Sequence, residues 1–301
     1  MRLVRVGIVA LLVAIIGLPL QAQTSTAAPA SPASAVQQPD TLLQDRTFQS
    51  ESLARPMRYR ILLPADYFHS DRPYPALYLL HGWHGDYQNW STLTKLTEYA
   101  KQLPLIVVMP DANDSWYVNS ATAPQDKYDS YIARDLVAEV DAHWRTIRDA
   151  GHRAIAGLSM GGYGAVKFGE KFPDLFRFAG SISGAFNAPA PELGQSRSDL
   201  APSLAKAYGA PTSTIRSDND DYKLLDRVKP ADAPYFYIDC GSGDVTFLAS
   251  NRAMAAALSQ HKLAYEYHEF PGTHSWQYWD ARLPDLLKAV MLHIAAENPQ
   301  R

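Results

Sequence analysis

Three side chains in this chain are spaced so that they could move one proton along a line: Ser159, Asp244 and His274. Ser159 lies in Gly157-Leu158-Ser159-Met160-Gly161-Gly162, a G-x-S-x-G turn. A serine hydroxyl is a weak nucleophile until an imidazole takes its proton, and the imidazole works best when a carboxylate orients it. Asp244 ends the run Cys240-Gly241-Ser242-Gly243-Asp244, and His274 sits in Phe270-Pro271-Gly272-Thr273-His274-Ser275-Trp276. The chemistry such a trio performs is attack on a carbonyl carbon through a covalent serine ester.

The elements needed to position them are legible around each residue. His152 to Leu158 is a short apolar run without helical periodicity, which suits a buried parallel strand. The period then changes, so a helix of about ten residues is expected just after Ser159, ending before Pro173. A serine on a sharp strand-to-helix turn is exposed, and small residues on either side let strand and helix crowd together. Asp244 follows the apolar run Tyr235–Cys240, and His274 follows Ala264–Phe270. All three therefore fall on loops after strands, at one edge of a sheet if those strands are parallel.

Competing residues are weaker on position. Of the nine histidines, only His274 follows a late strand within a glycine-containing loop, whereas His268 lies inside a strand. Asp239 precedes Cys240 within its strand, so its side chain faces a sheet surface, while Asp244 lies beyond the glycines. The developing oxyanion needs donors. The Met160 N–H, directly after the nucleophile, is one candidate, and the Trp83 N–H in Leu79-Leu80-His81-Gly82-Trp83-His84-Gly85 is the other.

Extended runs alternate with helical patterns along the rest of the chain, the order that builds a mostly parallel sheet flanked by helices. Thr47–Leu53 and Met57–Leu63 read as an opening antiparallel pair, and Ala76–Leu80, Leu105–Met109, Ala154–Leu158 and Phe178–Ser183 as further strands. Ile132, Leu136, Val137, Val140, Trp144 and Ile147 recur at helical spacing, as do Leu286, Leu287, Val290, Met291 and Ile294. Pro189–Pro211, rich in Ala, Pro, Ser and Gly, is expected to be an irregular excursion capping the sheet.

The 301 residues are 47% hydrophobic and 20% charged, enough for one large core. A formal charge of -3 with no long basic run argues against a nucleic-acid partner. Arg2 and Arg5 precede an apolar run from Val6 to Leu18 and then Pro19-Leu20-Gln21-Ala22, the pattern of a secretory signal peptide over 1–22. That apolar core is short for a membrane span, which needs about 20 residues; an uncleaved anchor is the alternative. Residues 23–44 read as a flexible Ala/Pro/Ser-rich linker, and 45–301 as the catalytic domain. A secreted or periplasmic location follows. Cys240 is the single cysteine, so no intrachain disulfide can form, and it is expected to be a small buried hydrophobe. There is no H-E-x-x-H and no His/Asp cluster at ligand spacing, so no metal is expected.

Leu79-Leu80-His81-Gly82 with Trp90, Tyr128 through Asp135, the Ser159 hexapeptide, the Asp244 loop and His274-Ser275-Trp276 with Trp279 together resemble the putative esterase family of α/β-hydrolases, over roughly residues 45–297. That family includes S-formylglutathione hydrolases, feruloyl and acetylxylan esterases, tributyrin esterase and mycolyltransferases. The resemblance implies an α/β-hydrolase fold, a Ser159–His274–Asp244 triad, an oxyanion hole from the Trp83 and Met160 amides, and no cofactor. It implies a small-acyl, acetyl-sugar or feruloyl ester as substrate; acyl transfer, thioester hydrolysis of the S-formylglutathione type and a non-catalytic binding role are the alternatives. Trp116, Tyr117 and Asn119, on the loop after the Leu105–Met109 strand, are candidates for lining the substrate pocket. Trp276 and Trp279 are expected to pack the C-terminal helix rather than stack on a ligand.

Overall fold

A computed structural model describes residues 42–294; the expected signal peptide and nearly all of the expected linker lie outside them. Eight strands form one sheet: β1 (Leu43–Ser50), β2 (Arg55–Leu62), β3 (Ala76–Leu80), β4 (Ile106–Pro110), β5 (Arg153–Leu158), β6 (Phe178–Ile182), β7 (Tyr235–Gly241) and β8 (Tyr265–Phe270). Their spatial order is β1-β2-β4-β3-β5-β6-β7-β8. β1–β2 and β2–β4 pair antiparallel, and every pairing from β4 through β8 is parallel. β1 begins at Leu43, inside the stretch read as linker.

Strands β3 to β6 are buried along their whole length, so their side chains alternate between two cores instead of between core and water. Tyr78 and Leu80 of β3 face one core with Ile106, Val108 and Ile155, while Leu77 and Leu79 face the other with Val107, Ala154 and Leu158. The five longest helices among the described residues are α1 (Val137–His143), α2 (Met160–Lys171), α3 (Ala201–Tyr208), α4 (Leu248–Gln260) and α5 (Trp276–Ile294). Val166 and Phe168 of α2 close the first core, and Leu283, Leu286 and Val290 of α5 close the second.

Two expectations are corrected. The helix through Ile132 begins at Tyr128, passes through a π-helical turn over Tyr131–Leu136 and ends at His143. Trp144 is already extended, and Ile147 lies beyond, donating its N–H to the Tyr74 carbonyl at 2.9 Å. The apolar spacing persists because the segment leaving the helix packs on the same face; Trp144 joins that core and donates its indole N–H to Tyr59 at 3.0 Å. Pro189–Pro211 is largely helical, with Pro191–Ser196 and α3 inside it. Pro191 and Pro202 each sit in a first turn, where proline's missing N–H costs nothing.

Candidate active site

Ser159 stands between β5 and α2 with φ 54° and ψ -118°, backbone angles that cost a non-glycine residue about 1–3 kcal/mol. Neighbouring strands hold it there. Its N–H donates to the Ile182 carbonyl at 3.0 Å, and its carbonyl accepts from Tyr163 at 3.0 Å and Ala185 at 3.1 Å. The flanking glycines leave no room for side chains. A Cβ on Gly157 would lie 2.5 Å from the Gly161 carbonyl carbon, and one on Gly161 would lie 2.5 Å from the His81 carbonyl oxygen.

His274 and Asp244 meet Ser159 in one line of hydrogen bonds. His274 Nε2 is 2.9 Å from Ser159 Oγ, and His274 Nδ1 is 2.8 Å from Asp244 Oδ2. A carboxylate on Nδ1 fixes the tautomer that leaves Nε2 free to accept the serine proton. The Asp244 side chain is 1% exposed, and its other oxygen accepts the N–H groups of Phe247 (3.1 Å) and Thr246 (3.3 Å). Burial pushes this carboxyl up, but the bonds from His274 and the two amides outweigh burial and hold it below its ordinary value. The acid therefore stays ionised beside the imidazole.

Asp239 serves a different network. It accepts from Arg282 Nε at 3.0 Å, from Tyr237 at 3.2 Å and from the Tyr278 hydroxyl, and burial raises its pKa despite those donors. His268 pairs with Glu266 at 2.8 Å within β8. Cys240 is buried, with its sulfur 3.9 Å from Asp244 Oδ2, and burial drives its thiol far above the ordinary range, so it stays a neutral thiol.

Met160 opens α2 directly after Ser159, and Trp83 lies on the loop after β3 and lines the cavity over Ser159. Neither backbone N–H donates to a protein acceptor among the described residues. His81 sets the Trp83 loop. The Ala112 N–H donates to its Nε2 at 3.0 Å, so the proton is on Nδ1, which bonds the Gly82 carbonyl at 2.7 Å. Burial lowers its pKa and keeps the ring neutral.

A cavity of about 380 Å³ opens over Ser159 and His274. Trp83, Leu93, Leu200, Phe247, Trp276 and Trp279 give it an apolar wall. Trp276 and Trp279 thus line the cavity as well as starting α5, and Trp279 meets the His274 ring edge-on at 4.9 Å. Of the pocket candidates, Trp116 lines the cavity. Tyr117 lies behind it, buried, with its hydroxyl on the His81 carbonyl at 2.9 Å. Asn119 is tied to Ser130 at 3.1 Å and does not line this cavity. Phe247, Arg197 and Leu200 are cavity residues that sequence reasoning misses. Phe247, three residues after the acid, packs on the His274 ring at 4.9 Å; its signal is that it is an apolar residue of the acid loop. Arg197 and Leu200 come from the Pro-rich excursion and carry none. Among the described residues no cluster of three or more His, Cys, Asp or Glu is placed to hold a metal, and no helix is long and apolar enough to cross a membrane.

The family model described as "Putative esterase" matches residues 50–290. An esterase of Mycobacterium tuberculosis is 32% identical over 274 residues, covering 83% of this chain and 58% of the relative. The chain thus spans under two thirds of that relative's length. Diacylglycerol acyltransferase/mycolyltransferase Ag85B of Mycobacterium leprae is 26% identical over 304 residues, covering 89% of this chain and 90% of that protein. Among solved structures, substrate-bound fluorophosphonate-binding serine hydrolase F of Staphylococcus aureus superposes with a TM-score of 0.73 at 27% identity, covering 82% of this chain and 97% of that one.

Proposed function

The chain belongs to the Putative esterase family, and we propose on that footing that it is a serine carboxylic ester hydrolase with Ser159 as nucleophile, His274 as base and Asp244 as the orienting acid. The observation that carries the reading is the unbroken line from Ser159 Oγ through His274 to Asp244, at 2.9 and 2.8 Å. His274 Nε2 takes the hydroxyl proton as Ser159 Oγ attacks the ester carbonyl carbon, and the Trp83 and Met160 N–H groups receive the oxyanion. The imidazolium then gives its proton to the leaving alcohol. Water, deprotonated by the same imidazole, releases the acid and restores Ser159.

The substrate class is an ester of a small acyl, acetyl-sugar or feruloyl type, in keeping with the aromatic and aliphatic cavity wall. No cofactor enters this scheme. The likeness to Ag85B supports acyl transfer as the second reading, in which an alcohol replaces water in the last step. Export is part of the proposal: 1–22 as a cleaved leader, 23–44 as a linker and 45–301 as the catalytic domain, on the evidence of the N-terminal sequence pattern.

The test is a fluorophosphonate probe beside p-nitrophenyl acetate turnover. Wild type should label and hydrolyse, and Ser159→Ala should lose both, the turnover by on the order of 10⁴-fold or more. Labelling that survives Ser159→Ala removes the serine from its role. Product analysis with added glycerol separates the second reading, because a transferase forms glyceryl acetate at the expense of acetate.

A further inference from the structure

Lys167 is fully buried on α2, a costly place for an ammonium. Its Nζ donates to Asp129 Oδ2 at 3.1 Å and to the Tyr117 carbonyl. Asp129 has a second partner, since Lys171 donates to the same oxygen at 2.6 Å. The Tyr117 carbonyl has none: among the described residues no other donor reaches it. Burial lowers the Lys167 pKa to about 8 against the pull of Asp129, which leaves the amine charged at neutral pH. A buried ion pair is by itself a weak source of stability, so the contact to Tyr117 is the informative one.

Tyr117 links α2 to the loop after β3. Its ring packs on Gly164 of α2, where a Cβ would lie 2.8 Å from Tyr117 Cδ2, and its carbonyl meets Lys167, which shares that helix face. Trp116 and Tyr117 have φ of 54° and 55°, angles that bulky residues keep only where their surroundings impose them. At its other end, the Tyr117 hydroxyl donates to the His81 carbonyl at 2.9 Å. The His81 ring is fixed in turn: its Nε2 accepts the Ala112 N–H at 3.0 Å, and its Nδ1 bonds the Gly82 carbonyl at 2.7 Å. That carbonyl and the Trp83 N–H belong to one planar peptide unit, so whatever holds the first aims the second.

We propose that Lys167 is a positioning residue for the oxyanion hole: acting through Tyr117 and His81, it sets the Trp83 amide relative to the Met160 amide. The proposal rests on the esterase reading and concerns a side chain that touches no substrate. One helix then governs both donors, because α2 carries Met160 in its first turn and reaches Trp83 through Lys167.

The experiment compares Lys167→Met, Tyr117→Phe and the double variant with wild type at neutral pH. It reads kcat and KM on p-nitrophenyl acetate, the melting temperature, and the Ki of phenylboronic acid, whose tetrahedral adduct on a serine places an oxygen where the oxyanion forms. Each single variant should lower kcat about tenfold with KM within about twofold, and raise the boronate Ki by about the same factor, because a donor misplaced by less than 1 Å is felt by the tetrahedral state alone. The double variant should lose no more than the worse single one, since both substitutions cut one chain of contacts. A lower melting temperature with kcat and Ki unchanged makes Lys167 a purely structural residue and overturns the proposal, as do losses that multiply in the double variant or that fall on KM. Tyr117→Phe keeps the ring against Gly164 and the carbonyl on Lys167, so wild-type kcat in that variant overturns the relay even if Lys167→Met does not fold. Wild type that neither hydrolyses the ester nor binds the boronate sinks the esterase reading and the proposal with it, whereas wild-type turnover kept undiminished by the variants sinks the proposal alone.

Discussion

Gly161→Ala is the substitution that best tests how the elbow is built. A Cβ at 161 would lie 2.5 Å from the His81 carbonyl oxygen and 2.6 Å from that of Leu80. Carbon and carbonyl oxygen approach comfortably to about 3.3 Å, so α2 and the end of β3 must separate by about 0.8 Å. Neither neighbour is the flexible tip of a side chain; both are backbone. Overpacking of this kind costs about 1–3 kcal/mol, or a melting temperature about 2–12 °C lower for a domain of this size. The catalytic consequence is larger, because the two elements forced apart carry the Met160 and Trp83 amides. A misplacement near 1 Å costs about 10²-fold, and it should fall on kcat more than KM, since the oxyanion exists only in the transition state. Steady-state hydrolysis of p-nitrophenyl acetate and thermal melts followed by circular dichroism measure both. Gly194→Ala is the control, because its Cβ would meet nothing closer than 3.6 Å: kcat should stay within error and the melting temperature should hold or rise slightly, since alanine in the helix Pro191–Ser196 is favoured over glycine by about 0.5–1 kcal/mol. Wild-type kcat and melting temperature in Gly161→Ala would refute the tight elbow and the two-amide oxyanion hole together.

Further outcomes follow from the buried carboxyls. Asp244→Asn should lower kcat by about 10³–10⁴-fold, because an amide cannot hold the Nδ1–H tautomer as a carboxylate does. Asp239→Asn should instead lower the melting temperature and leave kcat within about threefold, since what it loses is a buried hydrogen-bonded charge outside the line to Ser159. The reverse ranking would make Asp239 the acid. Glu170 and Asp221 are buried with no hydrogen-bond partner on their carboxylate oxygens. Burial raises both pKa values well above the ordinary range; the neighbouring carboxyls of Asp221 and Asp220 add to the rise at Glu170, and at Asp221 burial outweighs the opposing pull of Lys167. The folded chain then keeps a proton that the unfolded chain releases above about pH 4.3, so this contribution to stability is present below that pH and is lost as pH rises toward the folded value. Glu170→Gln should flatten the fall of melting temperature between about pH 5 and 8, and parallel slopes in variant and wild type would refute the assignment.

How much of this was legible in the sequence varied with the physics. Ser159, Asp244 and His274 were readable because each follows a strand, and parallel strands deliver their following loops to one edge. Strand positions came through for a related reason: β3 to β6 are buried on both faces and leave unbroken apolar runs. The cavity wall was less readable. Leu200 and Arg197 approach Ser159 only because the Pro-rich excursion folds into short helices, and proline there starts helices that composition alone marks as broken. Trp276, expected to pack, does pack edge-on against Trp90 at 5.9 Å, yet its position in the first turn of α5 also brings it to the cavity. Burial against the fold and exposure to a ligand are not alternatives for a ring with two faces.

The sheet order also explains how a histidine three strands away reaches the serine. β5 and β8 are separated by β6 and β7, roughly 14 Å at a spacing of about 4.8 Å per strand. His274 crosses that gap because the chain after β8 turns back over the sheet edge into α5. Trp279 in its first turn donates to Ser183 Oγ, just beyond β6, at 3.3 Å. The acid loop is fastened to the same segment: Ser242 N–H donates to the Phe270 carbonyl and Gly243 N–H to the Gly272 carbonyl, each at 2.8 Å. Asp244 and His274 are thus carried by two loops hydrogen-bonded to each other, while Ser159 is held separately by β6 through Ile182 and by Ala185 just beyond it. Damage to the loop pair should therefore disturb Asp244 and His274 together and leave the strained Ser159 in place, whereas damage at the glycines should move Ser159 and leave the His274–Asp244 bond intact.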